Sequence, residues 1–93
     1  MLAAGTGRVD ITPPIGIAHA GWGAQSHEGA EGIDMPLTIT ALVIEADGNT
    51  EPAARIAILD IDTCMLIEAY DVRIREAVTE KTGISAANQR VSY

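Results

Sequence analysis

Phenylalanine is missing from this sequence, and Trp22, Tyr70 and Tyr93 are its only aromatic residues. Three rings cannot build a base-stacking platform or an aromatic cage, so recognition by ring stacking is excluded. Cations are sparse too: six Lys and Arg stand against 13 Asp and Glu, giving a formal charge of -7. A phosphate backbone or an anionic lipid surface attracts clustered positive charge, so neither nucleic acid nor an acidic membrane face is an expected partner. With one cysteine, Cys64, no internal disulfide can form, and a disulfide-stapled scaffold is excluded. No apolar run approaches the ~20 residues that cross a bilayer, so no transmembrane segment is expected. Met1-Leu2-Ala3-Ala4 shows neither a charged leader nor an apolar stretch of signal length, which fits a cytoplasmic protein or one whose leader has been removed.

What remains is a chain of one folding unit with an Ala/Ile/Leu/Val core. Its first third is broken up by glycine and proline, which keeps regular elements short. Arg8 to Thr12 is predicted as a brief strand ended by Pro13. Ile15 to Trp22 reads as a weaker extended segment and Gly23 to Gly32 as a loop. Gly5, Gly7, Gly21 and Gly23 form no dinucleotide or Walker pattern and are expected to serve tight turns and close backbone approach.

Leu37 to Ala46 alternates and then runs apolar, the pattern of a strand partly buried on both faces. Asp47-Gly48-Asn49 is a turn signal, and Arg55 to Asp62 is a second strand, so the two are expected to form an antiparallel hairpin with an enlarged loop. From Cys64 to Thr82 the period changes: Ile67, Tyr70, Ile74, Ala77 and Val78 gather on one helical face. Lys81 suits the helix C-terminus, and Gly83 suits a left-handed cap. Gln89 to Tyr93 begins another strand. The expected architecture is α/β, a β-hairpin followed by a β-α-β crossover unit with a Gly/Pro-rich N-terminal arm, forming part of a larger α/β catalytic domain.

Alternation places Ile56, Ile58, Asp60 and Asp62 on one face of the second strand and Ala57, Leu59 and Ile61 on the other. The two carboxylates end that face at the carboxyl end of the strand, where open α/β sheets place ligand crevices. Asp62 is the candidate site residue, with helix capping by Asp62 or Thr63 as the competing reading. Cys64 would fall in the first helical turn, where the dipole lowers a thiol pKa, but no companion histidine is recognisable. His19 and His27 are eight residues apart and lack the close spacing of a local zinc pair.

Gly7-Arg8-Val9-Asp10-Ile11-Thr12-Pro13-Pro14-Ile15-Gly16 resembles the opening of the neutral/alkaline, non-lysosomal ceramidases, in which a Gly-x-x-Asp-x-Thr strand begins the mature domain. Ala20-Gly21-Trp22-Gly23 is similar to the Gly-aromatic-Gly element that follows in that family. Gly32-Ile33-Asp34-Met35-Pro36-Leu37 is similar to its Gly-Ile-His-x-x-Leu stretch, and Arg55 to Asp62 to the strand before its first long helix. Four weak pieces in register carry the resemblance from Gly7 to Tyr93. It implies a zinc-dependent amide hydrolase acting on N-acyl-sphingosine or a related N-acyl lipid, in which zinc activates water and polarises the amide carbonyl. The family's His-x-His-Ser-Gly-Pro zinc motif follows the strand matched by Arg90 to Tyr93, so the zinc ligands are absent from this chain. The resemblance therefore implies an N-terminal segment, inactive alone, whose partner is the remainder of the catalytic domain. It also implies that Asp34 contributes its main-chain carbonyl to a second, structural Ca or Mg ion, and that Asp62 has an orienting role. Asp34 replaces the usual His. Thr38 and Thr40 stand where Tyr or Ser and Arg are typical, so amide hydrolase is the broader expectation. The alternative is a non-catalytic α/β binding or structural module.

Overall fold

The computed structural model describes residues 1–18, 26–46, 48 and 51–93. Strand β1 (Leu2–Asp10) is followed by β2 (Thr38–Ala46), a 3-10 turn over Pro52–Ala54, β3 (Arg55–Ile61), helix α1 (Glu68–Thr82), a 3-10 turn over Ala86–Asn88 and β4 (Gln89–Ser92). The four strands form one sheet in the order β1-β2-β3-β4. Pairing is antiparallel from β1 to β3 and parallel between β3 and β4, which makes a hairpin leading into a β-α-β unit. This is the small mixed α/β fold that the periodicity implies.

Alternation separates the two faces. Ala57, Leu59 and Ile61 of β3 are buried beneath α1, and Ile84, at 1% exposure, closes the same core. Ile39, Ala41, Val43, Ile74, Val78 and Val91 pack around it. Gln89 enters this layer from β4, and its Nε2 donates towards the Arg75 carbonyl, Thr79 Oγ1 and the Ile84 carbonyl, each at 3.1 Å. Arg75 reciprocates, with Nη1 donating to the Gln89 carbonyl at 3.1 Å. Helix and last strand are thus joined by polar bonds as well as apolar contact.

Several expectations are corrected. β1 covers Leu2–Asp10 instead of Arg8 to Thr12, so the N-terminal arm is an edge strand of the sheet. Its pairing with all of β2 overrides the low strand preference of Gly5 and Gly7. Those two glycines sit in neither a turn nor a close approach: a Cβ on either would meet nothing within 4 Å. The helix begins at Glu68, with Ile67 as an extended N-cap whose side chain makes no capping bond. Asp62 and Thr63 therefore do not cap it, and Ile67 and Tyr70 are 60% and 54% exposed instead of packed. At the other end Gly83 adopts φ 76° and donates to the Thr79 carbonyl at 2.8 Å, the left-handed cap expected there. Within Ile15 to Trp22, the described part shows a turn at Ile15-Gly16 and a single bridge from Ala18 to Gly29, while the Ala20-Gly21-Trp22-Gly23 element lies outside the described residues.

Candidate functional site

β3 turns Ile56, Ile58 and Asp60 away from the helix, and the register carries that face across the sheet. Arg8 lies opposite Thr40, Thr40 opposite Asp60, and Asp60 opposite Ser92. One polar row therefore crosses all four strands. It is internally bonded: Arg8 Nε donates to Thr40 Oγ1, and Ser92 Oγ donates to Asp60 Oδ1, both at 3.1 Å. Two residues further along each antiparallel pair, Thr38 donates to Asp62 Oδ2 through its N–H at 2.8 Å and its hydroxyl at 3.1 Å. The Asp62 N–H returns a bond to the Thr38 carbonyl at 3.0 Å.

Asp62 is consequently fixed by β2 rather than by the helix. A carboxylate oxygen with two donors has a defined direction, which is what an orienting group requires. Asp10 stands opposite Thr38 on β1. Hydrogen bonds from the Thr12 hydroxyl and from the Thr12 N–H, the latter at 2.7 Å, hold its carboxyl below the ordinary value of 3.8. Leu37 N–H donates to Thr12 Oγ1 at 2.8 Å, which ties this turn to the start of β2.

A shallow groove lined by Met35, Pro36, Leu37, Asp62, Thr63 and Cys64 runs beside the carboxyl end of β3. Asp34 lines an adjoining groove, with Thr12, Ile33, Met35 and Leu37 among its walls. The two sequence candidates thus occupy neighbouring grooves that share Met35 and Leu37. Cys64 is exposed and precedes α1 by several residues, so it lies outside the first helical turn expected for it. His27 is exposed, and His19 lies outside the described residues. Among the described residues no three His, Cys, Asp or Glu side chains gather as a metal site. No chemical step through a metal is assigned to the described residues.

Arg8, Thr38, Thr40 and Ser92 are the site residues that sequence reading passed over. The Thr38/Thr40 alternation with Ile39 marked their shared face, but only the strand register shows that Asp60, Asp62 and Ser92 lie along it. No family model, curated protein or solved structure matches this chain.

Proposed function

We propose that this chain is the N-terminal part of a ceramidase-like amide hydrolase that depends on zinc held by later residues. The complete enzyme would act on N-acyl-sphingosine or a related N-acyl lipid, and the segment alone is inactive. The observation that supports this reading is the parallel register of β3 and β4. Asp60 pairs with Ser92, so both strands end together beside Asp62. Ligands of open α/β sheets bind outside the carboxyl ends of such strands. A chain leaving β4 in its own direction enters the crevice that Asp60 and Asp62 flank, and there the resembled family carries its His-x-His motif.

Within that reading Asp62, clamped by Thr38, orients a neighbouring ligand or metal-bound group, and Asp60 with Ser92 forms the floor of the polar end. The decisive experiment reads the gene beyond Tyr93 and assays the full-length product on N-acyl-sphingosine. The frame is expected to continue through His-x-His-Ser-Gly-Pro and to give a zinc-containing amidase that Asp62→Ala impairs. A stop codon directly after Tyr93 overturns the proposal and leaves the non-catalytic module.

A further inference from the structure

α1 covers only part of its own side of the sheet. The strand buried beneath it is β3, through Ala57, Leu59 and Ile61. β1 lies two strands away. With neighbouring strands about 4.8 Å apart that is roughly 10 Å, the spacing of two helices packed side by side. The residues of β1 on this side are Gly5, Gly7 and Val9, because they stand opposite Val43, Ala41 and Ile39, all of which pack on the core. Among the described residues nothing lies over them: a Cβ on Gly5 or Gly7 meets nothing within 4 Å, and Val9 is 56% exposed. A slot one helix wide therefore runs along β1 beside α1. The strand's nine residues span about 30 Å, the length of a helix of roughly 20 residues.

Two hollows follow one another along this slot, one of 510 Å³ with Ala3, Val43 and Lys81 in its walls and one of 550 Å³ with Ile39, Tyr70 and Arg73. Their helical side is a single stripe of α1, since Tyr70, Ile74, Ala77 and Lys81 recur at four- and three-residue intervals. The charge of the slot differs from that of the chain. Six Lys and Arg stand against 13 Asp and Glu overall, yet Arg55, Arg73 and Lys81 all line these hollows and Glu45 is the one acid that does. Glu45 accepts from Arg55 Nε at 2.5 Å, which leaves Arg73 and Lys81 without an ionic partner among the described residues.

A crossover helix of the same chain does not fit this slot. A right-handed connection from β4 to a strand beyond it lies past β4, and one that returned to a strand beside β1 would run the other way across the sheet and place its helix on the opposite face. We infer that the slot is a docking site for an acidic amphipathic helix of another polypeptide. Its apolar side rests on Val9, Tyr70 and Ala77, and its carboxylates meet Arg73 and Lys81. Those two cations are eight residues apart on α1, about 12 Å along its axis, so acids two turns apart on the incoming helix reach both.

Fluorescence anisotropy tests this on the 93-residue chain with two labelled peptides of about 20 residues, one built from Leu, Ala and Glu and the other from Leu, Ala and Lys with the same apolar stripe. The protein's charge of -7 favours the basic peptide, so a preference for the acidic one has to come from the slot. The acidic peptide is expected to bind saturably and the basic one not. Arg73→Glu and Lys81→Glu should each weaken the acidic peptide about tenfold. Gly7→Leu, which fills the slot, should abolish binding with an unchanged circular dichroism spectrum. Ile56→Thr combined with Ile58→Lys alters only the open face and should leave the affinity unchanged, which separates docking in the slot from association through that face. No saturable binding of the acidic peptide, tighter binding of the basic one, an affinity unmoved by Gly7→Leu or by both charge reversals, or loss of binding in the Ile56→Thr, Ile58→Lys chain overturns the proposal.

Discussion

Ser92 Oγ donates to Asp60 Oδ1 across the parallel β3–β4 pair at 3.1 Å, while Thr38 holds Asp62 from the opposite side through two bonds to Oδ2. The two carboxylates are thus anchored by different strands. Both are exposed, so water replaces a lost partner at modest cost. Ser92→Ala and Asp62→Ala are each expected to lower unfolding free energy by about 1 kcal/mol. Urea melts of the single variants and the double variant measure this, and the two losses should add. Strong coupling would show that the carboxylates work as one unit instead of two.

How much of this could be read in advance varies along the chain. The hairpin and the Gly83 cap were legible because each is written in a local pattern. The helix start was not, since Met65 and Leu66 continue the apolar spacing upstream and no side chain caps Ile67 to mark a boundary. The start of β1 is not legible, because Leu2 to Gly7 is Gly- and Ala-rich and becomes a strand through its partner. The candidate site was half legible: Asp60 and Asp62 follow from alternation, whereas Arg8 and Ser92 join them only through long-range register.

Gln89 is 1% exposed, and its amide bridges α1, the following turn and β4. Its Oε1 has no hydrogen-bond partner. Truncation removes all three donated bonds and leaves a void, although the Ile84 carbonyl still accepts from the Thr79 hydroxyl at 2.7 Å. Gln89→Ala is expected to cost about 2–4 kcal/mol. Gln89→Glu should be worse near neutral pH, because a carboxylate cannot donate to those carbonyls, and should recover partly in acid. A loss below ~1 kcal/mol for the alanine variant in denaturant titration would mean that the bridge contributes little.

Glycine substitutions should go in opposite directions at two positions. At Gly83 φ is 76° and a Cβ would approach Pro52 Cγ at 3.0 Å, so Gly83→Ala is expected to destabilise by about 1 kcal/mol or more. At Gly5 the added group meets open space in an extended strand, so Gly5→Val should stabilise by roughly 0.5–1 kcal/mol. Thermal midpoints of the two variants provide the comparison. Equal shifts of the same sign would contradict the conformational argument.

Asp10 sets a pH dependence whose sign is fixed by its lowered pKa. A carboxyl depressed in the folded chain adds stability above its unfolded value, and that increment disappears as pH falls through the folded value. Unfolding of the unaltered chain should therefore become easier from about pH 4 downward, and Asp10→Asn should flatten part of that slope. The measurement belongs at concentrations that keep both proteins monomeric. Identical slopes would exclude a role for the Thr12 bonds.

The open sheet face carries the last prediction. Leu42 stands opposite Ile58, and Ile44 opposite Ile56, so four aliphatic side chains form one patch beside the polar row. Ile56 and Ile58 remain 49% and 38% exposed, because α1 covers only the opposite face. A contiguous apolar patch on a sheet is a contact surface for later chain or an association surface without it. The isolated chain should therefore bind a hydrophobic dye and associate as its concentration rises. Ile56→Thr combined with Ile58→Lys should abolish dye binding while leaving circular dichroism unchanged, since neither residue packs beneath the helix. Extension of the chain through the residues that the proposed enzyme places after Tyr93 should suppress dye binding as well, by covering the patch. A chain of residues 1–93 that binds no dye and unfolds in one sharp, monomeric transition would show that this face is stable in water, and would remove the reason to expect covering elements.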